Sequence, residues 1–210
     1  MKTTKLTFVT KNSYLAAAIA LLILVTSCQT FRHEPEQKEP VVISYYLTDK
    51  GVLTAVQLAD FFLYNAQTLS RDELLEFAQI YIDEAATENI NSDIAFAQMC
   101  HETGFLKFGG LVQPEWHNYC GLGAISAEQP GCQFETVQLG VRAHIQHIQA
   151  YATTEDVPLN NELVDPRYSW VHKTKYAVTL GDFAKSWATD PEYAQKLEKM
   201  IERMEDFINQ

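Results

Sequence analysis

One segment near the middle of the chain is apolar on almost every face that a helix can present. It runs from Asp93 to Glu102, follows the helix-capping residues Asn91 and Ser92, and stops at Gly104. A helix that is apolar all round has no side that favours water, so it packs in the middle of a core. We therefore expect a helical domain built around this segment.

Further helices are predicted on both sides of the central one. Apolar residues recur at helical spacing from Thr54, and Ser70 with Glu73 forms a capping box that opens a second helix through about Ala86. Helical spacing returns over about 136–152. The pattern predicts a mostly α fold.

The chain closes with two predicted helices, at about 176–187 and 191–208, after a turn-rich stretch at 155–166. Asp190 as N-cap and Pro191 at the first helical position indicate where the last helix starts. Together with the helix predicted at about 136–152, these two helices account for most of the chain after residue 135.

The segment between Gly104 and Glu135 is irregular. Glycines, prolines and aromatic residues are dense there, which predicts loops and a short hairpin. Binding residues are often carried by such segments, so we expect this lobe to contact a ligand.

Charge and cysteine content exclude several classes of protein. All 27 acidic residues but only 13 of the 16 basic residues follow Cys28, so we expect no nucleic-acid partner, which requires a basic surface. Four cysteines without a CxxC pair predict neither a disulfide scaffold nor a structural zinc site. We expect a monomer without metal or cofactor, whose core comes from apolar burial.

Residues 1–27 have the features of an export signal. Three lysines precede an apolar run at 15–25, which is well short of the roughly 20 residues needed to span a bilayer. The run ends in Val25-Thr26-Ser27-Cys28, which resembles the lipobox of bacterial lipoproteins. This resemblance implies a lipid anchor on Cys28 and a location on the membrane of the cell envelope. An ordinary secretory signal with an incidental cysteine is the alternative.

Residues 28–50 are predicted to form a tether. Their first part carries two prolines and alternating charges without a sustained helical period, which is typical of an extended linker. Residues 51–210 then form one folded domain.

Glu102 is the residue whose position most suggests chemistry. It lies in the last turn of the buried helix, where apolar neighbours and the negative end of the helix dipole both disfavour ionisation. A carboxyl group that stays protonated near neutrality is suited to protonating a leaving glycosidic oxygen. A surface glutamate at a fraying helix end is the alternative reading.

Four motifs resemble one family, the glucosaminidase domain of glycoside hydrolase family 73. Residues 95–104 resemble its AxAQxxxE[ST]G motif, in which the glutamate, here Glu102, is the catalytic acid. Residues 118–122 resemble its NxxG motif, 134–148 its helix after the mobile lobe, and 187–197 its terminal helix. The resemblance covers about residues 54–208.

The resemblance implies a fold, a reaction and a set of site residues. The fold is lysozyme-like (α+β but mostly helical), and the reaction is hydrolysis of the N-acetylglucosaminyl-β-1,4-N-acetylmuramic acid bond in peptidoglycan. Glu102 and Tyr193 are the expected catalytic residues. The expected substrate-binding residues are Gln98, Trp116, Asn118, Tyr119 and His144, although the aromatic ones are equally accounted for by packing.

A second catalytic carboxylate is not selected by any motif. Glu115, Glu128 and Glu135 all lie in the right region. The following helix carries Gly140 and His144 near positions where relatives often have acids. A mechanism assisted by the substrate's own 2-acetamido group therefore stays open.

The histidine pairs of the sequence do not complete a metal site, whereas two cysteines are placed where a disulfide can form. His101-Glu102 lacks the second histidine of a zinc-peptidase motif, and His144 with His147 lacks a third ligand. Cys120 and Cys132 flank the glycine-rich loop and could form a disulfide in an oxidising compartment, with Cys100 left in the core. These three thiols allow three pairings, each of which leaves one thiol over.

Two classes of function follow from the sequence. The first is a peptidoglycan hydrolase that acts on glycan strands from a lipid anchor, with a lytic transglycosylase or muramidase on the same fold as the enzymatic alternative. The second is a non-catalytic cell-wall-binding lipoprotein.

Overall fold

Seven α-helices make up most of the structure, a computed structural model that describes residues 39–210. In chain order they are α1 (Ala55–Asn65), α2 (Arg71–Glu88), α3 (Ser92–Thr103), α4 (Val137–Ala152), α5 (Tyr168–Thr174), α6 (Leu180–Trp187) and α7 (Tyr193–Ile208). The loop lobe, residues 104–135, separates α3 from α4 and contains a short 3-10 helix, Pro114–Trp116. The mostly helical class is confirmed.

Pairing between extended segments is sparse. Within residues 39–210 it is limited to two isolated bridges, which join Tyr46 to Thr179 and Ser126 to Gln129. The short hairpin expected in the loop lobe is thus a single bridge that closes a tight turn. The α+β, lysozyme-like arrangement stays a prediction.

The central helix α3 is buried along nearly its whole length. All its residues except His101 and Glu102 are buried, and it packs against α2, α4 and α7. At its start the Asn91 side chain accepts hydrogen bonds from backbone N–H groups of the first turn, and at its end Gly104 adopts a left-handed conformation. The helix therefore begins and ends where predicted, and only its last turn reaches the surface.

Residues 40–50, which the sequence assigned to the tether, pack on the helical domain. Ile43 and Leu47 are 1% and 0% exposed. The N–H of Ile43 donates to Glu205, and that of Leu47 donates to the carbonyl of Val178. Burying each apolar side chain contributes roughly 1.5–3 kcal/mol. The predicted boundary at residue 50 is therefore wrong, and the folded unit starts at Pro40.

Helix α6 begins four residues after its predicted start at Tyr176. The N–H of Ala177 donates to the carbonyl of Tyr151, and the N–H of Leu180 donates to the carbonyl of Tyr45, so this stretch is extended. The Thr179 side chain then caps the helix. Pairing with distant segments overrides the local helical pattern here.

Helix α7 begins at Tyr193, two residues after its predicted start at Pro191, because Asp190 forms a turn in front of the helix and does not cap it. The carboxylate of Asp190 accepts from the N–H of Glu192, and its carbonyl accepts from the N–H of Tyr193. Helix α5 was not predicted, since it is short and no side chain caps its start.

Several predictions concern residues beyond this description. The signal peptide (1–27), the lipidation site Cys28 and the tether as far as residue 38 lie outside the described residues. From residue 39 to 210, the structure contains no helix long and apolar enough to cross a membrane.

Candidate active site

Glu102 lies where two clefts meet. The larger cleft has a volume of about 540 Å³ and the smaller about 160 Å³, and Glu102, Gly121 and Ala124 line both. Side chains from α4 to α7 complete the larger cleft, and the segment 108–112 of the loop lobe forms one side of the smaller. The last turn of α3 thus presents its carboxyl group to both spaces.

The Glu102 carboxyl group is held by two donors on one oxygen. Burial raises its pKa, as expected, while hydrogen bonds from the Tyr193 hydroxyl and from Trp187 lower it in part. Trp187 Nε1 donates to Oε1 at 3.0 Å, and the Tyr193 hydroxyl donates to the same atom. Within residues 39–210 no hydrogen bond reaches Oε2. Oε2 is therefore the carboxyl oxygen that stays free to contact a ligand.

A chain of buried hydrogen bonds leads to this carboxyl group. Tyr81 donates to Nδ1 of His144 at 3.0 Å, and His144 Nε2 donates to Oε1 of Gln98 at 2.9 Å. Gln98 Nε2 donates to the Tyr193 hydroxyl at 2.9 Å, which donates in turn to Glu102. Every donor has one acceptor, so the chain has a single direction that ends at Oε1.

The neutral form of His144 is what keeps this direction. Burial, and to a smaller extent the nearby His147, lower the pKa of His144 to about 3. An imidazole that stays neutral donates from one nitrogen and accepts at the other, as its two partners require. A protonated ring would have to donate to the Tyr81 hydroxyl and reverse that end of the chain.

A left-handed turn directs the chain away from the end of α3. Gly104, Phe105 and Leu106 have φ values of 57°, 58° and 56°. For residues other than glycine such a backbone costs roughly 1–2 kcal/mol each. The Phe105 ring offsets this cost by packing against Phe61 and Phe62, with centroid distances of 6.0 and 5.3 Å. The turn leaves the Glu102 side of the helix end open to the clefts.

The loop lobe is fastened to α4 by a close backbone approach. A Cβ atom added to Gly140 would lie 1.9 Å from the carbonyl oxygen of His117. Asn118 holds the lobe from within, since its Nδ2 donates to the carbonyls of Leu122 and Cys132 at 2.9 and 3.0 Å. An acidic side chain at position 140 would therefore have no space in this chain.

Comparison with known proteins identifies the domain. A family model described as Glucosaminidase, mannosyl-glycoprotein endo-beta-N-acetylglucosaminidase, matches residues 78–206. The chain belongs to the glucosaminidase family. The matched region runs from α2 to α7 and includes Glu102 and Tyr193. Membership in this family makes the domain a glycoside hydrolase.

One curated relative extends beyond the matched region. An uncharacterized protein of Borreliella burgdorferi is 37% identical over 164 residues, which cover 78% of this chain and 79% of that protein. No solved structure matches the chain.

Two of the predicted substrate-binding residues are internal to the glucosaminidase domain. Gln98 and His144 are both 0% exposed and are used in the hydrogen-bond chain to Tyr193. Because neither side chain has exposed surface, the prediction that they contact substrate is corrected. They act on Glu102 indirectly, through the hydrogen bond that Gln98 makes with the Tyr193 hydroxyl.

The other three predicted binding residues lie at different places in the loop lobe. Asn118 is 1% exposed and lines the smaller cleft, where it holds the loop together. Tyr119 packs against Phe77, with 5.0 Å between centroids, and lines a separate groove of about 810 Å³ that does not include Glu102. Trp116 is partly exposed but lines neither cleft. The structure therefore does not bring these three side chains together around Glu102.

The three candidates for a second carboxylate stay away from Glu102. Glu115, Glu128 and Glu135 are exposed, and none of them lines either cleft. Glu128 accepts a hydrogen bond from the Ser126 hydroxyl, which lowers its pKa. All three side chains belong to the outer surface of the lobe.

The predicted disulfide is absent. Cys100, Cys120 and Cys132 are free thiols in the part of the chain that the structure describes. Cys120 is buried and Cys132 packs beside it in a small apolar cluster with Leu122 and Ala143. Packing, together with the hydrogen bonds of Asn118, closes the loop without a covalent bond.

The larger cleft also has lining residues whose role sequence reasoning missed, namely Trp170 and Trp187. His147 lines it, and its Nδ1 lies 2.7 Å from the buried carboxylate of Asp165. The His147 ring packs against Trp187 with 5.1 Å between centroids. Trp170 belongs to α5, which no pattern predicted. The sequence did carry a signal for the orientation of Trp187. This residue follows Phe183 by four positions, so the two side chains lie on one face of a helix.

Proposed function

We propose that this glucosaminidase domain hydrolyses peptidoglycan at the N-acetylglucosaminyl-β-1,4-N-acetylmuramic acid bond, with Glu102 as the general acid. The observation that supports this most directly is a carboxyl group of raised pKa at the junction of two clefts. A glycan strand that runs through both clefts places a glycosidic oxygen next to the Glu102 carboxyl group. The acid then protonates the leaving oxygen.

The donors on Oε1 fit the charge that develops during this step. As Oε2 gives its proton to the glycosidic oxygen, the bond from that oxygen to the anomeric carbon breaks and Glu102 becomes a carboxylate. The Tyr193 hydroxyl and Trp187 Nε1 already point at Oε1 and stabilise the new charge without rearrangement.

We propose the substrate's 2-acetamido group as the nucleophile. This is supported by the absence of Glu115, Glu128 and Glu135 from the residues that line the two clefts. The acetamido oxygen attacks the anomeric carbon, and water then opens the ring that forms. A stable thiazoline analogue of that ring should be a competitive inhibitor. Absence of inhibition, with turnover lost in one of the three Glu→Gln variants, would assign the role to that carboxylate.

The products of peptidoglycan digestion test the proposed bond. Purified peptidoglycan is digested with the mature protein, the new ends are reduced with borohydride, and the fragments are identified by mass spectrometry. We expect reduced N-acetylglucosamine ends. A 1,6-anhydromuramic end indicates a lytic transglycosylase, and a reduced muramic end indicates a muramidase. Binding to the polymer without any new ends indicates a wall-binding lipoprotein.

The proposed substrate agrees with the proposed location. Peptidoglycan lies in the cell envelope, and a lipid on Cys28 followed by the tether would hold the domain at a membrane facing it. This part of the proposal rests on the sequence of residues 1–28.

A further inference from the structure

An exposed tryptophan on one wall of the larger cleft has two cations close to its ring. Trp170 of α5 keeps 54% of its surface exposed. The guanidinium carbon of Arg167 lies 5.6 Å from the centroid of its ring, and Nζ of Lys175 lies 5.9 Å from it. All three residues line the cleft that holds Glu102. Attraction to the indole ring keeps both charges beside one flat apolar surface.

Neither cation is neutralised by a neighbouring side chain. Among the ion pairs found in residues 39–210, none involves Arg167 or Lys175. The carboxylate of Asp165 accepts instead from His147 Nδ1 and from the backbone N–H of Arg167. Two cations beside one ring repel each other, and an anion that binds to both relieves the repulsion.

The positive charge of this wall contrasts with the rest of the domain. Residues 167–185 contain four basic residues and one acidic residue, although acidic residues outnumber basic ones 27 to 13 after Cys28. The single acid, Asp182, accepts a hydrogen bond from the Thr179 hydroxyl at the start of α6 and does not line the cleft. The cleft therefore attracts a negatively charged ligand within a molecule that repels anions elsewhere.

We propose that Arg167, Trp170 and Lys175 form a subsite for a sugar that carries a carboxylate. The indole ring stacks on the saccharide ring, and the two cations bind the carboxylate attached to it. In peptidoglycan this group is the lactyl carboxylate of N-acetylmuramic acid or, where a stem peptide is attached, a carboxylate of that peptide. The subsite gives the glucosaminidase domain its preference for peptidoglycan over neutral glycans, and this inference rests on the proposed function.

Binding of two tetrasaccharides to an inactive protein tests this subsite. Titration calorimetry is performed on mature Glu102→Gln protein with a peptide-free tetrasaccharide of alternating N-acetylglucosamine and N-acetylmuramic acid, and with chitotetraose, which has no carboxylate. Arg167→Ala or Lys175→Ala added to this protein should weaken binding of the acidic tetrasaccharide about tenfold or more, since a hydrogen bond to a charged group is lost. Binding of chitotetraose should change less than twofold. Trp170→Ala should weaken both.

Lys173→Ala is the matched control. Lys173 lies on α5, between Arg167 and Lys175, and carries the same charge as these two residues. Unlike them, it is exposed and does not line the cleft. Its removal should change neither affinity. Equal losses for both tetrasaccharides in Arg167→Ala and Lys175→Ala, or an equal loss in Lys173→Ala, would overturn the subsite. The melting temperature of each variant shows that a lost affinity is not lost folding.

A second pair of ligands distinguishes the two sources of the carboxylate. If Arg167→Ala weakens binding of intact muropeptides but not of the peptide-free tetrasaccharide, the stem peptide supplies the anion and the carboxylate subsite stands. If neither acidic ligand depends on Arg167 and Lys175, the proposal is wrong. These measurements need no turnover, so they remain decisive if the wild-type protein releases no sugar ends and the proposed reaction fails.

Discussion

At the scale of single residues, burial and two opposing hydrogen bonds set the acidity of Glu102. Its donors, Trp187 and Tyr193, are 85 and 91 residues away in sequence and both reach Oε1. Burial raises the pKa of the carboxyl group, and the two donors oppose this by stabilising the charged form. The balance leaves an acid that is protonated to higher pH than an ordinary glutamate.

Replacing Trp187 by Phe should raise the pKa of Glu102 further, because one donor to its carboxylate is lost. The reaction needs the protonated acid, so the alkaline limb of the pH profile of kcat/KM should move to higher pH. The profile is measured on soluble peptidoglycan fragments. Trp170 lines the same cleft but makes no hydrogen bond to Glu102. Trp170→Phe also removes an indole N–H and should leave the limb in place. A limb that stays in place in Trp187→Phe would argue against the assignment of this limb to Glu102.

Replacing Tyr193 by Phe should lower both stability and turnover. Its hydroxyl accepts from Gln98 and donates to Glu102 in a buried position. Its loss leaves the Gln98 amide without that acceptor, which costs about 1–3 kcal/mol of unfolding free energy. Urea unfolding and turnover on peptidoglycan, measured on the same variant, check the two effects. Unchanged stability would contradict the buried hydrogen-bond chain.

The sequence identified some of these residues and misplaced others. The position of Glu102 at the end of an apolar helix predicted its raised pKa, which the structure confirms, although burial is the dominant cause. The motif resemblance predicts Gln98 and His144 as substrate contacts, because a motif shows which residues belong together but not which side chains face solvent. Their hydrogen bond joins residues 46 positions apart.

At the scale of the elements, local capping signals predicted helix ends well. The capping box of Ser70 and Glu73 opens α2, and Asn91 and Gly104 bound α3 as expected. The predicted start of α6 was wrong because residues 177–180 pair with segments more than 20 residues away. No local sequence pattern records such pairing. Helix boundaries set by side-chain caps are thus readable from the sequence, whereas those set by tertiary pairing are not.

The hydrogen-bond chain joins α2, α3, α4 and α7 through a neutral His144. Its pKa is about 3 in the folded state and near 6.5 in an unfolded chain. The unfolded state therefore binds more protons between these values, so stability is full above about pH 6.5 and falls as pH is lowered toward 3, by up to about 1.4 kcal/mol per pH unit.

His144→Gln should remove this part of the pH dependence, since an amide does not titrate. The free energy of unfolding is measured by urea titration at pH 7.5 and pH 5.5. The difference between the two values should shrink in His144→Gln and persist in His172→Gln, a control histidine that is partly buried and bonded to Thr153. An equal pH dependence in wild type and His144→Gln would show that this ring does not stay neutral in the folded state.

The close approach of the loop lobe to α4 predicts the effect of a single methyl group. Gly140→Ala places Cβ against the carbonyl oxygen of His117, so lobe and helix must separate at a cost of roughly 1–3 kcal/mol. The lobe also lines both clefts, so turnover should fall together with the melting temperature. Gly181→Ala in α6 meets no atom closer than 4.0 Å and should keep or raise the melting temperature. Equal melting temperatures for Gly140→Ala and wild type would contradict this docking.

At the scale of the whole molecule, a folded unit starting at Pro40 follows a segment that is predicted to carry an export signal and the lipidated Cys28. Because residues 40–50 pack on the domain, the predicted tether is shorter than the sequence suggested. It then runs from Cys28 to residue 39, which spans at most about 40 Å when fully extended. With the predicted lipid on Cys28, this length would limit the reach of the domain from the membrane.

Lipidation of Cys28 is tested by expression in a bacterial host. Wild-type protein should enter the membrane fraction with a mass increment of lipid size on Cys28, and Cys28→Ala should not. Cys132→Ala, which changes a thiol of the folded domain, should still enter the membrane fraction. A soluble wild type without the increment would contradict the lipoprotein prediction.

The most direct test of the account is the turnover of Glu102→Gln on purified peptidoglycan. Glutamine keeps the size of the side chain and accepts the hydrogen bonds of Trp187 and Tyr193, but it has no proton to transfer. We expect turnover to fall at least about 100-fold, the low end for general acid catalysis, while the melting temperature changes little. Glu128→Gln, on the exposed surface of the lobe, should keep its activity as a matched control. Near-normal turnover in Glu102→Gln would contradict the central claim that Glu102 is the catalytic acid.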